Sequence, residues 1–336
     1  MGSNIIGWIV EAVGFGTVIL YGTIGETLTE KAGNLNLGTP GIMVMGGAFG
    51  FIGCYLYEAN TAHPVAAICI LIALLSSFLM AMFGGLIYAF LTTTFHVNQN
   101  VVGLTLTIFG VGFGKFFGTY VTKASTAATG NVSTKAEFSY KVFSAKIPWL
   151  STHTGWVGEV FFSYGFMFYL AIIIAIVATL FLMKTRAGLN LRAVGENPAT
   201  ADAAGINVTK YKYLATLIGS GITGLGGLYY VLDYNNGIWA TEAGSAIEAI
   251  AWLSVALVIF VRWRPVHAIW GSILFGICYW AYQYVPIIFN IKLNTDLIMM
   301  LPYVVTIIVL IISSVRNNRE KQAPASLGLS YFREDR

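Results

Sequence analysis

Charge is what this 336-residue sequence has least of: Asp, Glu, Lys and Arg make up 10% of it, against about a quarter in an ordinary globular domain. So few ionic groups cannot form a water-soluble surface, and 57% hydrophobic residues with a mean hydropathy of +0.73 leave lipid as the solvent. The net charge of +4 is too small and too dispersed for binding nucleic acid. Cysteine is scarce too. Cys54, Cys69 and Cys278 each sit in an apolar stretch with no pair at metal-ligand spacing, so they read as packing residues and no metal site is expected. Residues 1–6 lack the basic start and small-residue cleavage site of a signal peptide, so the first apolar stretch is expected to stay as a span. A complete phosphate loop is also missing. Gly112 to Lys115 has the look of its end, but Phe109 stands where the first glycine is needed and Phe116 where Ser or Thr would hold magnesium. ATP hydrolysis is therefore not expected of this chain. The letters G-S-G-I-T-G at Gly219 to Gly224 spell a dinucleotide fingerprint, yet no strand precedes them and they lie inside an apolar stretch. Neither His96 nor His267 has an evident nucleophile partner, which argues against an intramembrane hydrolase.

What the sequence has in abundance is long apolar runs. Stretches near the roughly 20 residues that cross a bilayer occur at 5–25, 40–58, 64–95, 98–120, 157–183, 213–232, 246–261, 265–288 and 297–315. The expected fold is all-α, a polytopic transmembrane bundle of about nine spans. The stretch 64–95 is long enough to tilt, to protrude into the cytoplasm or to break at Gly84-Gly85. Lys184, Arg186, Arg192, Lys210 and Lys212 mark 184–212 as cytoplasmic, and alternation then also places inside Arg262 and Arg264 and the tail 316–336, which begins with Arg316, Arg319 and Lys321. The permeating body is thus 1–315, with an outer N-terminus. The loop 121–156 must be external despite Lys123, Lys135, Lys141 and Lys146, and its length and Thr/Ser content suit a translocated segment. Small residues recur every four positions, at Gly110, Gly114 and Gly118 and at Ala215, Gly219, Thr223 and Gly227, and these rows read as close helix crossings.

The segment Gly188 to Thr209 is the most informative. Asn197 can N-cap a short helix with Pro198 at its first position, and Gly205 can end it. Its exposed face would carry Ala199, Thr200, Ala203 and Ala204, a small-residue surface suited to a groove on another protein. The run T-R-A-G-L-N-L-R-A-V-G-E-N-P-A-T-A-D-A-A-G-I at Thr185 to Ile206 resembles the coupling segment of the branched-chain amino acid, ribose and nucleoside permeases of ABC importers. Similar matches are G-E-T-L-T-E-K-A-G-N-L-N-L-G-T-P-G-I-M at Gly25 to Met43, G-S-A-I-E-A-I-A-W-L at Gly244 to Leu253 and G-S-I-L-F-G at Gly271 to Gly276. The resemblance covers most of the chain, and the second stretch points to the nucleoside branch, though that branch usually shows an acidic residue where this chain has Thr39-Pro40.

The resemblance implies a type II-like permease in a bacterial cell membrane, half of a translocation path for a nucleoside-like or sugar solute. It implies a second homologous permease, an ATPase with two nucleotide-binding modules that holds ATP and magnesium, and an extracellular substrate-binding lipoprotein. Glu196, Asn197, Pro198, Ala199, Ala203, Ala204 and Gly205 would then contact the ATPase. Asn34, Asn36 and Thr39 lie in a stretch too polar and too broken for a plain span, and are expected to line the path or support its bend. Asn98, Asn100, Trp239, Glu242 and Glu248, with Tyr229, Tyr230 and Tyr234, offer amides, carboxylates and ring faces to a sugar-plus-base solute. Glu248 has no Lys or Arg at i±3 or i±4; it reads as a path carboxylate or as an acid at a helix start, with Ile247 beside it facing lipid. A transporter driven by an ion gradient is the alternative, and would need several intramembrane carboxylates and an inverted repeat, whereas only Glu248 and Glu11 are candidates.

Overall fold

The computed structural model describes residues 2–129, 134–146, 155–240, 242–289, 297–298, 300–302, 304–305, 307–308, 311 and 322–332. They form the helices α1 (Gly2–Lys31), α2 (Thr39–Asn60), α3 (Ala66–Ala89), α4 (Gln99–Thr129), α5 (Glu137–Phe143), α6 (Gly155–Phe162) and α7 (Phe166–Lys184). There follow α8 (Arg186–Glu196), α9 (Pro198–Ala203), α10 (Val208–Tyr229), α11 (Ala243–Phe260) and α12 (Pro265–Phe289). Among the described residues eight of these, α1 to α4, α7 and α10 to α12, are long and apolar enough to cross a membrane. Of the ninth expected span, 297–315, only 297–298, 300–302, 304–305, 307–308 and 311 are described.

One boundary differs from expectation. The stretch beginning at 157 is divided: α6 ends at Phe162, and the span proper starts at Phe166. Gly165 sits in the break because a Cβ there would fall 2.1 Å from the Phe143 carbonyl oxygen and 2.3 Å from the Asp233 carboxylate. The stretch 64–95, by contrast, is one helix that continues from α3 through a π-helical turn, Phe90–Thr94. Its glycine pair does not break it; a Cβ at Gly85 would lie 2.3 Å from Ser220 Oγ, so glycine there lets α3 press against α10.

The centre of the bundle is α1, α2 and α10. A Cβ on Gly25 would come within 2.3 Å of the Gly219 carbonyl oxygen, and one on Gly219 within 2.4 Å of the Gly25 oxygen, so α1 and α10 touch backbone to backbone. Gly110 meets Gly41 in the same way, which accounts for both small-residue rows as packing surfaces. Polar bonds cross between helices: Tyr21 Oη donates to the Met167 carbonyl at 2.8 Å and Thr23 Oγ1 to that of Ser254 at 3.2 Å. The perimeter inverts a soluble protein. Leu71, Leu75, Leu79 and Phe83 on α3, and Ile173, Val177 and Leu180 on α7, all stand exposed, as a lipid-facing surface requires.

The contacts define two ends. At one, here the basic end, the turns at 32–38, 95–98 and 261–264 meet α8, α9 and the tail residues 322–332. Ser326 N donates to the Gly195 carbonyl at 3.0 Å, Gly328 N to that of Gly33 at 3.2 Å, and Tyr331 Oη to Asp202 Oδ2 at 2.9 Å. The basic clusters at 184–212 and 262–264 thus share an end with the tail that follows Lys321. At the opposite end the loop expected to be external has a packed portion. Thr134–Lys135 pairs antiparallel with Ile238–Trp239, and Glu58 accepts hydrogen bonds from the amides of Phe138 (2.9 Å) and Ser139 (3.2 Å).

Candidate functional site

Three sets of functional residues can be placed. The first is the segment between α7 and α10. Thr185 Oγ1 accepts the Gly188 amide at 3.0 Å and starts α8, a helix the sequence reading left inside a loop. Asn197 Oδ1 then accepts the Thr200 amide at 3.0 Å with Pro198 in the first turn of α9, and Gly205 follows the helix with φ of +82°. Ala201 packs with Val194 and Val208, anchoring the helix, while Glu196, Asn197, Ala199, Thr200, Ala203, Ala204 and Gly205 are exposed. The result is a rigid protrusion with a small-residue cap at the basic end.

The second set is the bend at 32–38. Asn34, Asn36 and Thr39 are all buried. Asn34 Nδ2 donates to Thr216 Oγ1 at 2.9 Å; Asn36 Oδ1 accepts the Gly38 amide at 3.0 Å; Thr39 Oγ1 donates to the Glu26 carboxylate. Glu26 also accepts the Asn36 amide at 3.2 Å, and four residues on, Glu30 accepts the Trp263 indole N–H. Backbone groups of the bend find side chains from elsewhere: Gln99 takes the Leu35 N–H at 2.7 Å, and the hydroxyls of Tyr88 and Thr107 reach the carbonyls of Leu35 (2.6 Å) and Leu37 (2.7 Å). Buried irregular backbone needs partners of this kind. The three residues therefore hold the bend. Glu26 and Glu30, missed in the sequence, are part of the same cluster; their spacing of four puts both on one face of α1.

The third set lies on α4 and α11 toward the opposite end. Glu242 at the start of α11 is exposed and makes no capping bond; Ser245 and Ala249 are exposed and Glu248 is half-buried. Across from them Lys115, six residues before the end of its span, donates from Nζ to Ser245 Oγ at 2.6 Å. Gly112, one turn away on α4, has nothing within 4 Å of where a Cβ would be. Ile247, expected to face lipid, is instead fully buried, because α11 turns that side toward α1 and α2. Trp239 is buried against Phe51, with ring centroids 6.1 Å apart, and its indole N–H lacks an acceptor among the described residues. Asn98 and Asn100 lie far from this group, exposed at the basic end, where Asn98 Oδ1 caps α4 by accepting the Asn100 and Val101 amides at 3.0 and 3.2 Å. Tyr229 is buried, and Tyr234 Oη accepts the Trp280 indole N–H at 3.1 Å.

The model of the branched-chain amino acid transport system permease component family matches residues 8–310. The chain belongs to that family. The permease is 31% identical over 337 residues, 95% of each chain, to the putative glucose ABC transporter permease protein TsgC13 of Haloferax volcanii. It is 30% identical to the nucleoside ABC transporter permease protein NupC of Lactococcus lactis, over 88% of each chain. It is 28% identical to the guanosine ABC transporter permease protein NupQ of Bacillus subtilis, over 87% of each. No solved structure matches it.

Proposed function

We propose that the permease forms half of the membrane path of an ATP-driven importer for a nucleoside-like solute, with sugars the nearest competing class. The observation that carries this is the α4–α11 face. Lys115 on α4 and Glu248 on α11, with Glu242 at the start of α11, are charged groups costly to hold against hydrocarbon, so this face meets water or protein. A second permease bringing its own copy of such a face would enclose a polar channel. In this reading the basic end is cytoplasmic, consistent with the positive-inside rule, and the N-terminus is outside. The small-residue cap of α9 docks on a separate ATPase with two nucleotide-binding modules, which holds the ATP and magnesium, and an external lipoprotein delivers the solute. The relatives' names favour ATP coupling over an ion gradient. The carboxylates Glu26 and Glu30 do not revive the gradient alternative, since both are engaged in holding the bend and its contact to Trp263.

The test is uptake of labelled guanosine and glucose by membrane vesicles containing the full transporter. Glu248→Gln should leave assembly intact and lower uptake on the order of tenfold, the loss of one charge-assisted hydrogen bond. Leu79→Ala, on the lipid-facing side of α3, should be nearly silent. Wild-type uptake by both Glu248→Gln and Lys115→Met would remove this face from the path. Gradient-driven uptake by the chain alone in liposomes would overturn the importer reading.

A further inference from the structure

At the basic end a cavity of about 980 Å³ opens between the turn after α3, the loop after α9, the start of α10 and the tail. Its chemistry is one-sided. Lys210 and Lys212 both line it, and Lys212 is only 3% exposed, yet its ammonium has no hydrogen bond and no carboxylate partner among the described residues. Thr93 Oγ1, also in the wall, is enclosed without a partner. The 22-residue α10 begins here; the side chain of its cap Asn207 takes the Lys210 amide, and Val208 and Thr209 of the first turn line the cavity. The carboxylate in the wall, Asp202, accepts the Tyr331 hydroxyl. A buried ammonium, an orphan hydroxyl and a helix start converge as donors with no acceptor among them. Aromatic faces complete the wall: Tyr213 on α10, and Phe332, whose ring stacks on His96 at 4.6 Å.

We infer that this cavity binds a phosphate-bearing ligand, a nucleoside monophosphate. The phosphate sits on Lys212, Thr93 and the start of α10, and the base lies against Tyr213 and Phe332. The phosphate half stands on this chain alone; the nucleoside half rests on the solute class proposed above. The cavity volume admits a nucleotide, and the loop after α9 forms part of its wall, so the ligand lies beside the helix assigned to ATPase docking.

The experiment is calorimetric titration of the full chain in nanodiscs of neutral phospholipid with guanosine monophosphate, guanosine and inorganic phosphate. Guanosine monophosphate should bind saturably, phosphate should compete, and guanosine should bind about tenfold or more weakly. Lys212→Met should lose about tenfold or more in affinity, and Thr93→Val a smaller factor. Lys212→Met removes an unpaired buried charge, so its melting temperature should equal or exceed that of the wild type, separating lost binding from lost fold. Equal binding of phosphate and guanosine monophosphate would keep the phosphate site and overturn the nucleoside half. If the only Lys212-dependent effect is stabilisation by discs containing phosphatidylglycerol, the phosphate is a lipid headgroup and the soluble ligand is overturned. No Lys212-dependent response to any of these probes overturns the proposal entirely.

Discussion

Replacing Ala203 with Asp separates the fold of the protrusion from its use. Ala203 is exposed at the last turn of α9, so the new carboxylate remains hydrated in the isolated chain. Its cost there is confined to the negative end of a six-residue helix, about 0.3–1 kcal/mol. Docked into an ATPase groove the same group is stripped of water without a partner, at roughly 2–4 kcal/mol. That corresponds to an approximately 30- to 700-fold loss of docking affinity. The assay is co-purification of the ATPase with tagged permease, together with solute-stimulated ATP hydrolysis. Both should fall, while the permease alone elutes and melts as the wild type does.

Two controls fix the interpretation. Ala203→Ser keeps the surface small and should retain both activities. Ala201→Asp places the charge between Val194 and Val208, where the residue is 2% exposed, and should lower the stability of the segment itself. If Ala203→Asp keeps full co-purification and full hydrolysis, α9 is not the docking surface. Coupling through α9 requires a stiff helix, because a nucleotide-driven closure moves the spans only through a contact that does not yield. Its capped start, its buried Ala201 and the tail's bond from Tyr331 to Asp202 supply that stiffness.

Other consequences can be measured directly. Trp263→Phe removes the indole donor from buried Glu30 and should destabilise the fold by about 1–3 kcal/mol, read as an earlier thermal transition in detergent. Gly219→Leu puts a side chain where the Gly25 carbonyl already lies 2.4 Å from a Cβ, so the α1–α10 crossing must open and folded protein should be lost, checked by size-exclusion yield. In a background lacking native cysteines, Ala145→Cys should react with an impermeant thiol reagent on intact cells and Thr200→Cys only after permeabilisation; the reverse pattern inverts the assigned orientation.

Local signals survive in the sequence, and long-range ones do not. The cap, proline and glycine of α9 act within eight residues of one another, so Asn197, Pro198 and Gly205 could be read directly. Helix α8 could not, because Gly188, Asn190 and Gly195 look like loop residues; its one local sign was Thr185 three positions before Gly188. Glu26 and Glu30 carry no local sign of their role. Their burial depends on Trp263, more than 230 positions away, and on a bend held by Tyr88, Gln99 and Thr107.

Membrane solvation explains the remaining misses. In water an apolar face marks the core, but a helix in lipid is apolar on both its inner and outer sides, so hydrophobic periodicity does not say which way a residue points. Ile247, expected to face lipid beside Glu248, lies inward. Two kinds of residue still report direction. Glycine rows mark where backbones meet, and Gly110 and Gly219 do fall at such crossings. Charge marks a surface that is neither lipid nor close-packed core, a criterion that selects Glu248 from the sequence and should have selected Lys115 as well. Lys115 was weighed only as a fragment of a phosphate loop, and its meaning emerges once Ser245 stands 2.6 Å from it. In the proposed reading, that pair with Glu242 and Glu248 marks the side of the bundle on which a second permease and a polar solute would meet.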